Sequence, residues 1–149
     1  MDSIDGIPAV VPGDVHKDLE RAGKIPNPYF GDNVHDCQWV ADRNWCYVKE
    51  FVLRSDELET ISSLVFYGLD TFADIYLNGQ LVASCASMVI KHVVPIKEQI
   101  REGKNLLCVV MKSIVKEMEK LPHEGYNSCF NHERLFIRKA ACHFSWDWA

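Results

Sequence analysis

The sequence predicts an all-β protein, a β-sandwich with short peripheral helices. Three observations favour this fold class: at least five segments have the length and residue types of strands, turn residues separate them, and the segments with helical spacing are short. Two sheets of such strands, packed face to face, share one hydrophobic core. A chain of 149 residues suits one core, so residues 1–149 are expected to form a single domain.

The predicted strands follow from alternation, short apolar runs and one turn. Residues 45–53 alternate, but both faces carry apolar side chains, so we expect a strand covered on much of both sides. Asn78-Gly79 is the strongest hairpin signal, because both central residues of a type I′ turn need positive φ. It predicts that residues 73–77 pair with residues 81–83. Further strands are predicted at residues 64–67, 88–94 and 105–111.

The predicted helices are short and lie outside the core. Asp14 is the predicted N-cap of a helix with apolar residues at i, i+4 and i+7, and Gly23 is the residue expected after its C-terminus. Tyr29, Phe30 and Trp39 are expected to pack against the protein, since large apolar side chains are costly to expose. The other segments are predicted as follows: residues 25–33 an ordered loop, 54–60 a connecting loop, 96–100 one or two helical turns, 113–121 helical or irregular, 123–134 a polar excursion, and 135–139 a short helix or an extended approach.

Charge and hydropathy favour neither nucleic acid nor membrane as a partner. The formal net charge is −5, and no cluster of Lys or Arg marks a face for binding anionic polymers or lipids. No apolar run approaches the roughly 18 residues needed to span a bilayer. Met1 is followed by Asp2 and Asp5 instead of a basic and then apolar leader, so we expect either a cytoplasmic protein or a piece cut from a longer one.

The cysteines and histidines have no metal-ligand spacing. There is no Cys-x-x-Cys and no His-x-x-x-His, so a metal site is not predicted. No other cofactor is predicted either. The chain is not a small framework with tight cysteine spacing, and free, mostly buried thiols are expected in place of disulfides. The six cysteines are Cys37, Cys46, Cys85, Cys108, Cys129 and Cys142.

The stretch from 138 to 149 holds the candidate substrate-binding residues, Trp146 and Asp147. An indole stacks on the C–H face of a sugar ring, and a carboxylate accepts hydrogen bonds from sugar hydroxyls, so the pair offers both kinds of contact. A Trp-rich strand that only packs a sandwich core explains the same residues. Asp70 is interpreted as a turn-forming residue and not a catalytic one, because Asp commonly bonds to its own backbone in such turns.

Several motifs occur together in an order that resembles the N-terminal domain of β-mannosidases of glycoside hydrolase family 2. Val34 and Asn44 depart from the family pattern, which often has acidic residues there. The motifs are Val11-Pro12-Gly13-Asp14-Val15-His16, Ile25-Pro26-Asn27-Pro28-Tyr29, Gln38-Trp39-Val40, Gly68-Leu69-Asp70-Thr71, Asp74-Ile75-Tyr76-Leu77-Asn78-Gly79, Gly103-Lys104-Asn105-Leu106 and Phe144-Ser145-Trp146-Asp147-Trp148.

The resemblance implies a fold and a function. It implies that the predicted sandwich is a jelly roll of the galactose-binding-domain type. It also implies that the chain is part of a longer retaining glycosidase, which removes terminal β-D-mannose from oligosaccharides. Trp146 and Asp147 would bind the sugar beside the cleaved bond, while Trp148 packs in the domain. Arg138 and Lys139 are candidates to fix the strand or to neutralise Asp147, and a pair of solvated surface charges explains them equally well.

By the same resemblance the catalytic glutamates belong to a downstream barrel. No residue of this chain is therefore expected to be catalytic, and the chain alone is predicted to be inactive. Its expected partners are a β-mannoside oligosaccharide and the downstream sandwich and barrel domains of the same enzyme. The alternative is a stand-alone carbohydrate-binding or structural interaction module without hydrolytic activity.

Overall fold

Two antiparallel sheets form the body of the protein. The computed structural model describes residues 6–121 and 136–144. Its strands are β1 (Trp45–Leu53), β2 (Ser63–Phe66), β3 (Phe72–Leu77), β4 (Gln80–Ala86), β5 (His92–Pro95) and β6 (Gly103–Met111). Within the described residues, the larger sheet has the order β1-β6-β3-β4 and the smaller sheet pairs β2 with β5. The prediction of an all-β sandwich is confirmed.

Short helices surround the sheets, as predicted. They are α1 (Val15–Arg21), α2 (Asn33–Asp36), α3 (Ser55–Thr60) and α4 (Ile114–Met118), with 3₁₀ turns at Gln38–Val40 and Ala141–Phe144. The Asp14 side chain accepts a hydrogen bond from the Lys17 amide at 3.0 Å, which confirms the predicted N-cap of α1. Gly23 follows the helix with φ of 65°, a left-handed conformation that glycine adopts without a steric penalty.

The core lies between the two sheets. Alternation along β3 buries Ala73, Ile75 and Leu77 to 1%, 0% and 0% exposure. They pack with Val94 of the smaller sheet and Val109 of β6. A second cluster, formed by Leu19, Ile25, Cys37 and Val40, attaches α1 to the sandwich.

The predicted hairpin is present, and side-chain amides brace it. Asn78 and Gly79 have φ of 51° and 84°, as a type I′ turn requires. The side-chain nitrogen of Asn78 donates to the side-chain oxygen of Asn105 at 2.9 Å. The backbone amide of Leu106 donates in turn to the side-chain oxygen of Asn78 at 3.0 Å. Asn105 is 1% exposed and also bonds to the backbone at Arg101. Buried amides satisfied in this way fix the turn relative to β6.

Two predicted elements have different bounds. Residues 55–60, predicted as a loop, form α3, because the Glu57 carboxylate accepts the Arg54 amide at 2.8 Å and caps the first turn. The strand predicted over residues 88–94 begins only at His92, because the Met88 amide donates to the carbonyl of Arg138 and not to a sheet partner. Residues 96–100 make one turn, in which the amides of Gln99 and Ile100 both donate to Ile96.

Some burial predictions are wrong. Tyr29 and Phe30 are 90% and 77% exposed. Hydrogen bonds to Asn27 order their loop in place of apolar packing: Asn27 accepts the Tyr29 amide at 2.8 Å and the Asn33 side chain at 2.9 Å. Trp39 is half-buried against the second cluster, as expected. β1 is not covered on both faces, since Val48 and Val52 are 60% and 66% exposed.

The five cysteines among the described residues are free thiols, as predicted, but most are not buried. Cys37 and Cys85 are buried, Cys108 is half-buried, and Cys46 and Cys142 are exposed. Cys46 is exposed because it is on the outer face of β1. Cys129 and the whole of the excursion predicted at 123–134 lie outside the described residues.

Candidate functional site

The candidate sugar-binding residues Trp146 and Asp147, like Trp148, lie outside the described residues. The description ends at Phe144, two positions before Trp146. Their assignment as substrate-binding residues therefore stays a prediction. What the structure does describe is the segment that precedes them, residues 136–144, which we call the approach segment.

The approach segment is attached to the end of β4. Arg138 forms a parallel bridge with Ser87, and the Met88 amide donates to the Arg138 carbonyl at 2.9 Å. Ile137 is 5% exposed, and the Ala140 amide lies 3.0 Å from the sulfur of Met88. Backbone pairing and burial thus hold the chain in place shortly before the predicted sugar-binding residues.

Asp70 ties the approach segment to a second part of the sandwich. Its carboxylate, just before β3, accepts hydrogen bonds from the ammonium of Lys139 and from the hydroxyl of Thr71. The Nδ1 atom of His143 lies 3.4 Å from the same carboxylate. Thr71 is fully buried and the Lys139 side chain is 13% exposed, so this cluster is only partly open to solvent.

The electrostatics of the cluster favour an ionised Asp70. Burial acts to raise the pKa of the carboxyl, but the hydrogen bonds from Lys139 and Thr71 and the charges of Lys139 and His143 outweigh it. The pKa of Asp70 is consequently held below its ordinary value. The Asp70 carboxyl is therefore ionised throughout the neutral pH range and forms an ion pair with the Lys139 ammonium.

The structure tests the roles predicted for Asp70, Arg138 and Lys139. Asp70 lies in the connection between β2 and β3, and its carboxylate bonds to side chains and not to its own backbone, so the turn-forming bond expected of it is not observed. Lys139 is not a solvated surface charge, since its side chain is 13% exposed, and fixing the segment is the role observed. Arg138 fixes the segment through its backbone. Neutralisation of Asp147 is not tested, because that residue lies outside the described part of the chain.

A second feature is an open groove along the edge of β1. The groove has a volume of about 1460 Å³ and its lining is mostly apolar. The rings of Trp39 and Trp45 lie 6.0 Å apart at the groove, and the guanidinium of Arg43 lies 5.1 Å from the Trp39 ring centre. The Trp45 ring nitrogen donates to the Val40 carbonyl at 2.9 Å, which fixes that indole.

Neither feature resembles a metal centre. In the part of the chain that the structure describes, no group of three or more His, Cys, Asp or Glu side chains is placed to hold a metal ion. Within the same residues, no helix combines the length and the apolar character needed to cross a membrane.

Comparison with known proteins identifies the family. The family model described as glycosyl hydrolase 2 galactose-binding domain-like matches residues 2–149. A probable beta-mannosidase of Caenorhabditis elegans is 33% identical over 153 residues, a match that covers 93% of this chain and 17% of the relative. Beta-mannosidase B of Emericella nidulans is 33% identical over 146 residues, with the same coverage of 93% and 17%.

Solved structures agree with this result. The beta-D-mannosidase of Dictyoglomus thermophilum superposes with a TM-score of 0.83 and 36% identity, over 95% of this chain and 18% of that one. The exo-chitosanase of Amycolatopsis orientalis, 22% identical over 71% of this chain with a TM-score of 0.62, shares the fold. The galactose-binding-like jelly-roll sandwich is thereby confirmed. The chain belongs to the glycosyl hydrolase 2 galactose-binding domain-like family, as the N-terminal domain of a β-mannosidase-like protein.

Proposed function

We propose that this chain is the substrate-binding N-terminal domain of a retaining β-mannosidase, which removes terminal β-D-mannose from oligosaccharides. The observation that carries the proposal is the 33% identity to two β-mannosidases over 93% of the chain. The chain spans only 17% of each of those relatives, so the activity is proposed for a longer polypeptide. A β-mannoside oligosaccharide and the further domains of that polypeptide are the proposed partners.

In this proposal the domain supplies contacts to the sugar and leaves the bond cleavage to other residues. A retaining glycosidase needs two carboxyl groups about 5–5.5 Å apart. We propose that both come from the part of the enzyme outside this chain, and that the chain alone does not hydrolyse mannosides. Asp147 accepts hydrogen bonds from the hydroxyls of the sugar beside the cleaved bond, and Trp146 stacks on its ring.

The attachment of the approach segment supports these roles. A side chain that binds a sugar hydroxyl must be held in place, because a loosely positioned carboxylate loses the advantage of a preformed contact. Ser87 and Asp70 hold the approach segment from two sides, and Trp146 follows that segment closely in sequence. A charge-assisted hydrogen bond from a sugar hydroxyl to Asp147 would contribute about 1.5–3 kcal/mol.

Replacing Asp147 in the complete enzyme tests the proposal. Asp147→Ala should lower kcat/KM on a β-mannoside on the order of 10- to 100-fold, since each 1.36 kcal/mol is a factor of ten. The melting temperature should stay close to that of the parent enzyme. Asp36→Ala, which removes an exposed carboxylate of α2, is the matched control and should change neither quantity. Equal losses of activity and stability in Asp147→Ala would show that the residue is structural.

The groove along β1 favours a second candidate function, a stand-alone carbohydrate-binding module. Its Trp39 and Trp45 side chains and its volume of about 1460 Å³ suit an oligosaccharide. Calorimetric titration of the isolated chain with a manno-oligosaccharide separates the two candidates. Binding lost in Trp39→Ala but kept in Asp147→Ala would favour the groove, and the reverse would favour the first proposal.

We also propose the cytoplasm as the location of the protein. The free state of the five described cysteines supports a reducing compartment. Fractionation of cells that express the complete protein, followed by detection with a domain-specific antibody, would test this. Recovery from the secreted fraction would contradict it.

A further inference from the structure

Two cysteines meet on the outer face of the larger sheet. In the antiparallel pairing of β1 with β6, Cys46 lies opposite Val110 and Val48 lies opposite Cys108. The two cysteines are therefore diagonal neighbours, two positions apart across the strand pair, and their side chains leave the sheet on the same side. Val109 of β6 packs in the core, so this shared side is the one turned away from the core.

The spacing of the two cysteines decides whether a disulfide can form. Diagonal neighbours in an antiparallel pair are about 7–8 Å apart, close to the limit at which a disulfide can form. The two side chains are near enough to interact, because Cys108 contributes to the raised pKa of Cys46.

The pair is accessible and reduced. Cys46 is exposed, Cys108 is half-buried, and both are free thiols. Burial, then the hydrogen bond from Cys108, then the charge of Cys108 raise the pKa of Cys46 to about 11. A thiol with such a pKa is protonated at neutral pH and reacts slowly, and its reaction accelerates as the solution becomes alkaline.

We propose that Cys46 and Cys108 form a dithiol modification site that closes to an intramolecular disulfide on exposure to a small-molecule disulfide such as oxidised glutathione. One protein thiolate attacks the oxidant, which forms a mixed disulfide and releases one glutathione thiol. The other protein thiolate attacks the protein sulfur of that bond and releases the second glutathione. Two protons leave the cysteines, and the two electrons reduce the oxidant to two thiols.

The bridge would link β1, the outermost strand of the larger sheet among the described residues, to its neighbour β6. β1 is the first strand in the order β1-β6-β3-β4, and its bonds within the larger sheet are those to β6. A disulfide between residues 46 and 108 closes a long loop that contains α3 and β2 to β5, which restricts the unfolded chain and raises stability. The site depends on the register of the sheet and not on the proposed activity.

Mass spectrometry of the oxidised chain tests the proposal. The wild-type chain is incubated with oxidised glutathione at alkaline pH, blocked with an alkylating reagent, digested without reduction and mapped. We expect monomeric protein in which the peptide containing Cys46 is linked to the peptide containing Cys108, together with a higher melting temperature that dithiothreitol reverses. Cys46→Ser and Cys108→Ser should each abolish both effects, whereas Cys142→Ser, which changes another exposed cysteine, should keep both.

Three results would overturn the proposal. They are a lasting glutathione adduct on Cys46 without the link, links that involve only Cys129 or Cys142, and links between two molecules. The mapping of the wild-type chain needs no variant, so poor folding of a variant would not obscure the result.

Discussion

Among single residues, Asp70 has the widest influence on the candidate site. Its carboxylate accepts hydrogen bonds from the Lys139 ammonium and the Thr71 hydroxyl, and the His143 ring lies 3.4 Å away. One carboxylate thus joins the chain just before β3 to the approach segment. The Lys139 side chain is only 13% exposed. Without Asp70, its ammonium would lose both water and its partner, a state that proteins tolerate poorly.

The change Asp70→Asn should therefore destabilise the domain. We expect a loss of about 1–2 kcal/mol, since hydrogen bonds to charged groups contribute about 1.5–3 kcal/mol and solvent screens a partly exposed pair. The measurement is the urea midpoint of the isolated chain at an unchanged m-value. Asp56→Asn is the matched control, because that carboxylate is 72% exposed beside Arg54 at 3.2 Å and should contribute almost nothing. Equal effects in the two variants would contradict a specific role for Asp70.

Sequence reasoning succeeded at residues whose role depends on their immediate neighbours. Asp14 as a helix cap and Asn78-Gly79 as a turn need only a few adjacent positions. Lys139 was recognised as a possible anchor, but its partner Asp70 lies 69 positions away and no local pattern connects the two. His143 was not identified as part of the cluster for the same reason.

At the scale of elements, the strands with clear alternation or an uninterrupted apolar run were predicted well. β3 alternates because one of its faces is fully buried, and β6 is a nearly continuous apolar run. α3 was missed because its polar composition resembles a loop, and its cap depends on a single carboxylate from Glu57. The shorter β5 reflects a tertiary contact, since Met88 pairs with Arg138 and not with the smaller sheet.

The turn between β3 and β4 provides a prediction about glycine. Gly79→Ala should destabilise the domain by about 1 kcal/mol, because φ of 84° is unfavourable for a residue with a Cβ atom. Nothing lies within 4 Å of the added carbon, so backbone strain is the sole cost. Gly68→Ala is the control: its φ is not in the left-handed region and its Cβ would meet only the Met88 carbonyl, at an ordinary 3.7 Å. Thermal unfolding of both variants should show a lower melting temperature for Gly79→Ala alone.

For the molecule as a whole, we expect two carboxylates to contribute to the loss of stability in acid. Burial acts to raise the pKa values of Asp70 and Asp74, but hydrogen bonds from Lys139 and Thr71 to the first, and from Lys112 and Ser84 to the second, lower both below the ordinary 3.8. A carboxyl whose pKa is lower in the folded state stabilises that state above its unfolded pKa, and this contribution disappears as pH falls from there through the folded pKa.

The contribution of these two groups to the unfolding free energy should therefore be constant above about pH 5. The unfolding free energy should fall as the pH drops below about 4. Asp74→Asn, which removes the 2.7 Å ion pair with Lys112, should flatten part of that acid decline. Urea unfolding at a series of pH values measures both curves. An acid decline as steep in Asp74→Asn as in the wild-type chain would show that other groups dominate.

The order β1-β6-β3-β4 also bears on how this domain is made in the cell. Lys49 pairs with Leu107, so β1 leaves the ribosome long before the strand it needs has been synthesised. Until β6 emerges, the apolar side chains of β1 have no sheet to join, and such segments attract chaperones or one another. The β3–β4 hairpin can form early from local contacts, whereas the closing pairing is long-range and slow. A ribosome-bound nascent chain that ends before residue 103 should therefore remain sensitive to protease along β1, and become resistant once β6 has cleared the exit tunnel.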